Sequence, residues 1–199
     1  MQIHYFGLSS FKIITREATI ITDPFDKSSG LTPPRGNADI LILSDKTNPL
    51  YTATSGISGE PFLINDPGEY DTKGVTVTGL PVQQDDGYVT IFLIESEDIK
   101  ILNLAHIKDF SLKEDELEAL GQIDVLVIPV GGGKVMDASD ASKIVNDIQP
   151  SIVIPSHYQK ADAFAKEMGG KGEDMEKLIL KKKDLAEEGT KLVVLTPLR

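Results

Sequence analysis

Apolar residues fall into short runs of strand length, and the runs change character about halfway along the chain. "QIHYF" and "FKIIT" flank "GLSS", and "ATIITDP" stops at Asp23-Pro24, a turn signal. "DKSSGLTPPRGNA" is loop by composition. "DILIL", from Asp39 to Leu43, is a continuous apolar run and predicts a strand buried on both faces. "PFLIN" predicts another strand, and "NDPGEYDTKG" reads as turn chemistry around Pro67-Gly68. "VTVTGL" alternates. "YVTIFLIES" and "DIKILNLA" predict a hairpin closed near Glu97-Asp98.

Beyond residue 110 the period changes. Ser111 and Glu114 make a capping box ahead of Leu117 and Leu120. "DVLVIPV" predicts a buried strand. Asp137 is placed to cap a helix with the apolar face Ala138, Ala141, Ile144, Val145 and Ile148, ended by Pro150. "SIVIP" is the next buried strand. Ala161, Phe164, Ala165 and Met168 share a helical face stopped by Gly169-Gly170, and "KLVVL" is the last strand. The order is a β-meander followed by alternating strand and helix. Two sheets with helices packed outside would bury it. No repeat or long linker divides residues 1–199, so one mixed α/β domain is expected.

Composition narrows the chemistry. Apolar residues make up 40 % of the 199, enough for a sizeable core, and no window is apolar for long enough to span a bilayer. "MQIHYFGLSSF" lacks the basic-then-apolar pattern of a signal peptide. With no cysteine, disulfides and thiolate metal sites are excluded, which suits a cytoplasmic setting. The net charge of −11 argues against nucleic acid and anionic membrane as partners. The one basic run, Lys181 to Lys183, is followed by Asp184, Glu187 and Glu188 and reads as solvated surface.

Several motifs fail on spacing. In "VIPVGGGKVMD" a phosphate loop would need glycine at Ile128 and a hydroxyl residue at Val135. Gly131 to Gly133 instead connect strand to helix and could line a cleft. No G-x-S-x-G is present, and Ser156 and His157, as neighbours on an extended chain, would point apart. Ser9 and Ser10 read as turn residues. The histidines carry more. His4 falls mid-strand and reads as structural, whereas His106 and His157 each follow a predicted strand, as do Asp23 and Asp45. Two imidazoles and a carboxylate at converging strand ends could bind one divalent metal with an open position.

These residues give the whole chain a resemblance to the metallo-β-lactamase superfamily, nearest to its small single-domain, lactonase-like (ascorbate-phosphate lactonase) branch. "IHYFGLSSFKI" resembles that branch's G-H-S-S-F hairpin, and "IITDPF" its I-D-P-F turn. "DPGEYDTKGVTVTGLP" is similar to its P-G-E-Y segment. "VLVIPVGGGKVMDASDASKIVNDIQPSIVIPSHY" is similar to its run ending in P-x-H-Y. The resemblance implies an αββα sandwich of two mixed β-sheets with outer helices. It also implies a site at one edge holding one or two metal ions, usually zinc, that activate water for hydrolysis.

The same resemblance places the family's H-x-H-x-D-H loop on Asp45-Lys46-Thr47-Asn48-Pro49-Leu50. The next histidine falls at or near Gln84, the bridging aspartate at His106, and the histidine of G-H-S-S at Leu8. Only the last histidine is kept, as His157. Leu50 and Pro49 cannot coordinate a metal by side chain, and Thr47 and Gln84 are weak zinc ligands. The leading expectation is therefore a degenerate family member, a pseudoenzyme that keeps the fold to bind a small molecule or protein partner, for regulation or for assembly. The alternative is a remodelled hydrolase with a single metal, zinc or manganese, at Asp45, His106 and His157. A third reading has His157 as general acid or base without metal, oriented by Asp23 or Asp45.

Overall fold

The computed structural model describes residues 1–85, 87–110, 118–170, 172–185 and 189–198. The chain opens with β1 (Gln2–Gly7), β2 (Ser10–Ile14), β3 (Thr19–Thr22), β4 (Gly36–Asn37), β5 (Ile40–Ile42), β6 (Ile57–Ser58) and β7 (Phe62–Ile64). Next come β8 (Gly68–Thr72), β9 (Val75–Gln84), β10 (Gly87–Ser96), β11 (Ile99–Asn103) and β12 (Val125–Pro129). Helix α1 (Ala138–Ile148), β13 (Ile152–Ser156), α2 (Asp162–Glu167), β14 (Glu173–Met175), β15 (Leu178–Ile179) and β16 (Lys191–Leu195) complete it.

Two mixed sheets result. One has six strands in the order β15-β1-β2-β3-β5-β7, and the other has eight in the order β14-β16-β13-β12-β11-β10-β9-β8. Strands β11, β12, β13 and β16 run parallel, and β8 to β11 form the antiparallel meander. The predicted hairpin is present. Its Glu97 and Asp98 both have left-handed φ, 56° and 62°, which matches the twist of the strands they join.

Successive side chains of a strand point to opposite faces, and both faces are covered here, so these strands are apolar on both. Phe92, Ile94, Ile101, Val127 and Ile154 point between the sheets and meet Tyr5, Phe11, Ile13, Ile20 and Ile42 there. Ile91, Leu93, Leu102, Leu126 and Val153 point outward and are covered by Ala141, Ile144 and Val145 of α1 and Phe164 of α2. Asp137 caps α1 by accepting from Asp140 N, and Gln149 closes it with φ 50° just before Pro150.

The sandwich expected from the family likeness is thus present. Helices α1 and α2 cover the eight-stranded sheet. On the outer face of the six-stranded sheet Ile21, Ala38, Leu41 and Leu43 pack together with Ile57 of β6. Two local readings need correction. Residues 68–72, read as turn, form edge strand β8, because pairing with β9 outweighs the Pro-Gly signal. His157 is not on extended chain, since its φ is 56°. The capping box at Ser111 and Glu114, with Leu117, lies outside the described residues, as do Glu187 and Glu188. Among the described residues no helix is long and apolar enough to cross a membrane.

Candidate functional site

Strands of both sheets end at one edge of the sandwich, and the turns that follow them are held in costly backbone. Leu8, Asp23, Ala105 and His157 all have φ between 40° and 56°. Hydrogen bonds pin each one. Leu8 O accepts from the Tyr5 hydroxyl at 3.0 Å and from His157 N at 3.1 Å, and Tyr5 Oη also accepts from His157 N at 3.0 Å. Asp23 N donates to Ile42 O at 2.9 Å, and Ala105 N donates to Asn103 Oδ1 at 2.9 Å. Gly131 lies so close to His157 that a Cβ there would sit 1.8 Å from the His157 carbonyl oxygen. The first glycine of the run therefore serves close backbone approach at this edge.

A polar chain runs through the site from Asp23 to Asp45. The Asp23 carboxyl is fully buried, and Ser44 binds it twice, with N to Oδ1 at 2.7 Å and Oγ at 2.9 and 2.8 Å from the two oxygens. Ser44 Oγ also lies 3.3 Å from His106 Nδ1, and His106 Nε2 lies 3.8 Å from Asp45 Oδ2. Burial raises Asp23 to about 7. The bonds from Ser44 and the nearby Ser9 hydroxyl, which makes no hydrogen bond of ordinary geometry, pull the other way, and the charge of Asp45 adds to the rise. Burial lowers His106 to about 4 against the attraction of Asp45, and lowers His157 to about 3, with His106 adding to the fall.

One proton ordering satisfies every contact in this chain. Neutral His106 keeps its proton on Nε2, which faces Asp45, so its Nδ1 accepts the Ser44 hydroxyl proton. Ser44 Oγ then accepts from a protonated Asp23. Tyr51 closes the arrangement from above. It is buried, its ring stacks on His106 at 4.0 Å and 22°, and it meets His157 edge-on at 5.9 Å.

The loop from Asp45 to Leu50 turns its polar groups in on itself. Asp45 Oδ1 accepts from Thr47 N and Oγ1 at 2.9 and 2.7 Å, and Asn48 Oδ1 accepts from Leu50 N at 3.1 Å. Pro49 opens a 3-10 turn, Pro49–Tyr51, which carries Tyr51 into place. Gln84 is also engaged: its Oε1 accepts from Lys108 N at 3.0 Å and its Nε2 donates to Asp109 O at 3.2 Å.

Of the sequence candidates, Asp45 and His106 are in contact, and His157 faces them with its ring centroid 6.3 Å from that of His106. His157 Nε2 is buried and has no partner among the described residues, as is true of Ser9 Oγ and Ser156 Oγ. Among the described residues, no three or more His, Asp or Glu side chains gather so as to hold a metal ion. Asp23 joins the network through Ser44 and makes no hydrogen bond to His157. His4 lies on β1, half-exposed and apart from these groups. Sequence reasoning missed Ser44, Tyr51 and Tyr5. Their places follow from strand ends meeting in space, and no spacing in the chain announces them.

Residues 2–157 match the family model described as the beta-lactamase superfamily domain. A UPF0173 metal-dependent hydrolase of Alkaliphilus metalliredigens is 28 % identical over 194 residues, covering 79 % of this chain and 85 % of its own. One from Thermococcus onnurineus is 24 % identical, covering 87 % and 94 %. Among solved structures, a Thermotoga maritima protein assigned as a zinc-dependent hydrolase of the metallo-β-lactamase superfamily superposes with a TM-score of 0.82. It is 27 % identical and covers 98 % of this chain and 99 % of its own.

Proposed function

The chain belongs to the metallo-β-lactamase superfamily, a family of metal-dependent hydrolases, and we propose that it uses the fold without the two-metal hydrolytic centre. In this reading it is a pseudoenzyme whose cleft serves ligand binding, regulation or assembly. One observation carries the reading: the Tyr51 ring stacks on His106 while Ser44 Oγ lies within hydrogen-bond reach of its Nδ1 and the Asp45 carboxyl faces its Nε2. Where two metal ions would need open donor atoms, side chains of the chain itself meet one another.

The donor set supports this reading. Thr47, Pro49, Leu50 and Gln84 stand where the family resemblance expects ligands, and none of them presents a free strong donor. A two-metal centre does not fit these residues. Without it the cleft still has defined chemistry. It offers a buried acid at Asp23 that burial raises to about 7, a neutral imidazole at His106 and a half-buried carboxyl group at Asp45.

A second reading, one divalent metal at Asp45, His106 and His157, draws its support from the unpartnered His157 Nε2. Two imidazoles on one tetrahedral ion bring their centroids to about 5 Å. The 6.3 Å seen here is longer, so the two imidazoles would have to approach, and Tyr51, which touches both, would have to adjust. Metal analysis of protein purified without chelator, paired with lactone and phosphodiester hydrolysis assays, tests both readings. Metal far below one equivalent and no turnover are expected. Stoichiometric zinc with hydrolysis would overturn the main reading, and stoichiometric metal that Asp45→Ala abolishes would establish the second.

A further inference from the structure

We propose that a groove beside the histidine cluster binds the head group of a small organic anion, a phosphate or a carboxylate, through Arg35 and Lys27. The groove has a volume of about 590 Å³ and lies between the loop after β3 and the 3-10 turns before β6. That volume suits a ligand of metabolite size.

Its walls are fixed by backbone. Strands β4 and β6 pair Gly36 with Ile57 and Asn37 with Ser58, tying the two loops together. Ala53 N donates to Pro24 O at 2.9 Å. Gly56 lies against Pro34 so closely that a Cβ would come 2.5 Å from the Pro34 carbonyl oxygen. The fully buried Phe25 forms the floor. The groove therefore exists before a ligand arrives, which lowers the ordering cost of binding.

Its charge is unusual for this chain. The net charge is −11, and several cations elsewhere are paired with carboxylates, as in Lys46–Asp66 and Lys73–Asp39. Lys27 and Arg35 both line the groove, and among the described residues neither forms an ion pair. The opposing charge is Asp26. Its Oδ1 is occupied by Ser28 N and Oγ, bonds that hold the carboxyl below its ordinary range. A guanidinium presents paired donors that match a phosphate or carboxylate, and Lys27 adds a point charge. Both walls continue segments of the histidine cluster, since Pro24 follows Asp23 and Ala53 follows Tyr51 by two residues. An anion held here would bring its organic part to the mouth of that cluster.

The test is an amide-resolved NMR titration at low ionic strength with inorganic phosphate, phenyl phosphate and benzoate. Phenyl phosphate should saturate, with shifts at Lys27, Arg35 and Ser55. Arg35→Ala should weaken it by about tenfold or more, the loss of one charge-assisted hydrogen-bonding group. Lys12→Ala, on β2, should leave it unchanged. Equal binding of benzoate would support a general anion site, and binding of the phosphates alone would assign phosphate. No saturable binding, shifts confined to Lys181–Lys183, or an affinity indifferent to Arg35→Glu would overturn the proposal. Lys27 and Arg35 are exposed, so the variants should keep the parent's circular dichroism and melting temperature. None of these outcomes depends on metal content, so this proposal and the reading of the histidine cluster fail separately.

Discussion

Replacing Asp23 by asparagine should remove a pH-dependent cost from the folded state. The asparagine side chain can accept from Ser44 N through its oxygen and donate to Ser44 Oγ through its amide, copying protonated aspartate in shape and bonding. The sign follows from linkage. Folded Asp23 titrates near 7 and unfolded aspartate near 3.8, so between these values only the folded chain holds the proton. The stability that this proton supplies is full below the unfolded value and is lost as pH rises through the folded one. The slope is about 1.4 kcal/mol per pH unit, so the full loss reaches about 4 kcal/mol above pH 7 as an upper bound. The amide has no such proton to lose. Urea unfolding of Asp23→Asn and its parent, followed by circular dichroism from pH 4 to pH 8, should therefore give a difference, variant minus parent, that grows with pH and levels off above about 7. A difference that stays flat across that range would refute the buried acid, and with it the proton ordering through Ser44.

Other expectations follow from the same geometry. His106 and His157 have the opposite sign to Asp23: their folded values are lowered to about 4 and about 3, so acidification from 6.5 downward should cost stability, more steeply in Asp23→Asn than in the parent. Tyr51→Ala should cost about 3 kcal/mol or more as a buried aromatic truncation, whereas Tyr51→Phe, which keeps the ring and its stacking on His106, should stay within about 1 kcal/mol by thermal unfolding. Gly131→Ala should cost about 2 kcal/mol or more, because the Cβ meets the His157 carbonyl, and His157 ring resonances should shift with it. Introducing Asp45→His, Thr47→His, Pro49→Asp and Leu50→His into the loop should raise zinc uptake above the parent in elemental analysis. Unchanged uptake would refute the expectation that the donors of this loop limit metal binding.

Much of this architecture can be read from the chain. A buried parallel strand must be apolar at successive positions because both its faces are covered, and "DILIL", "DVLVIPV" and "SIVIP" carry that signal. The Asp137 cap and the Pro150 stop delimit α1 because they act through neighbouring backbone groups alone. Edge strands β8, β14 and β15 escape notice because their partners, and not their own patterns, create them.

What the chain alone determines, then, is where strands end and which side chains stand at those ends: Asp23, Asp45, His106 and His157. Only tertiary structure decides how those ends combine. Ser44 joins Asp23 to His106, and the 3-10 turn at Pro49 lays Tyr51 across both imidazoles. The reason is physical. Periodicity and capping depend on residues within a few positions of one another, whereas burial, the source of the raised Asp23 and the lowered histidines, depends on segments more than a hundred residues apart closing over the same space.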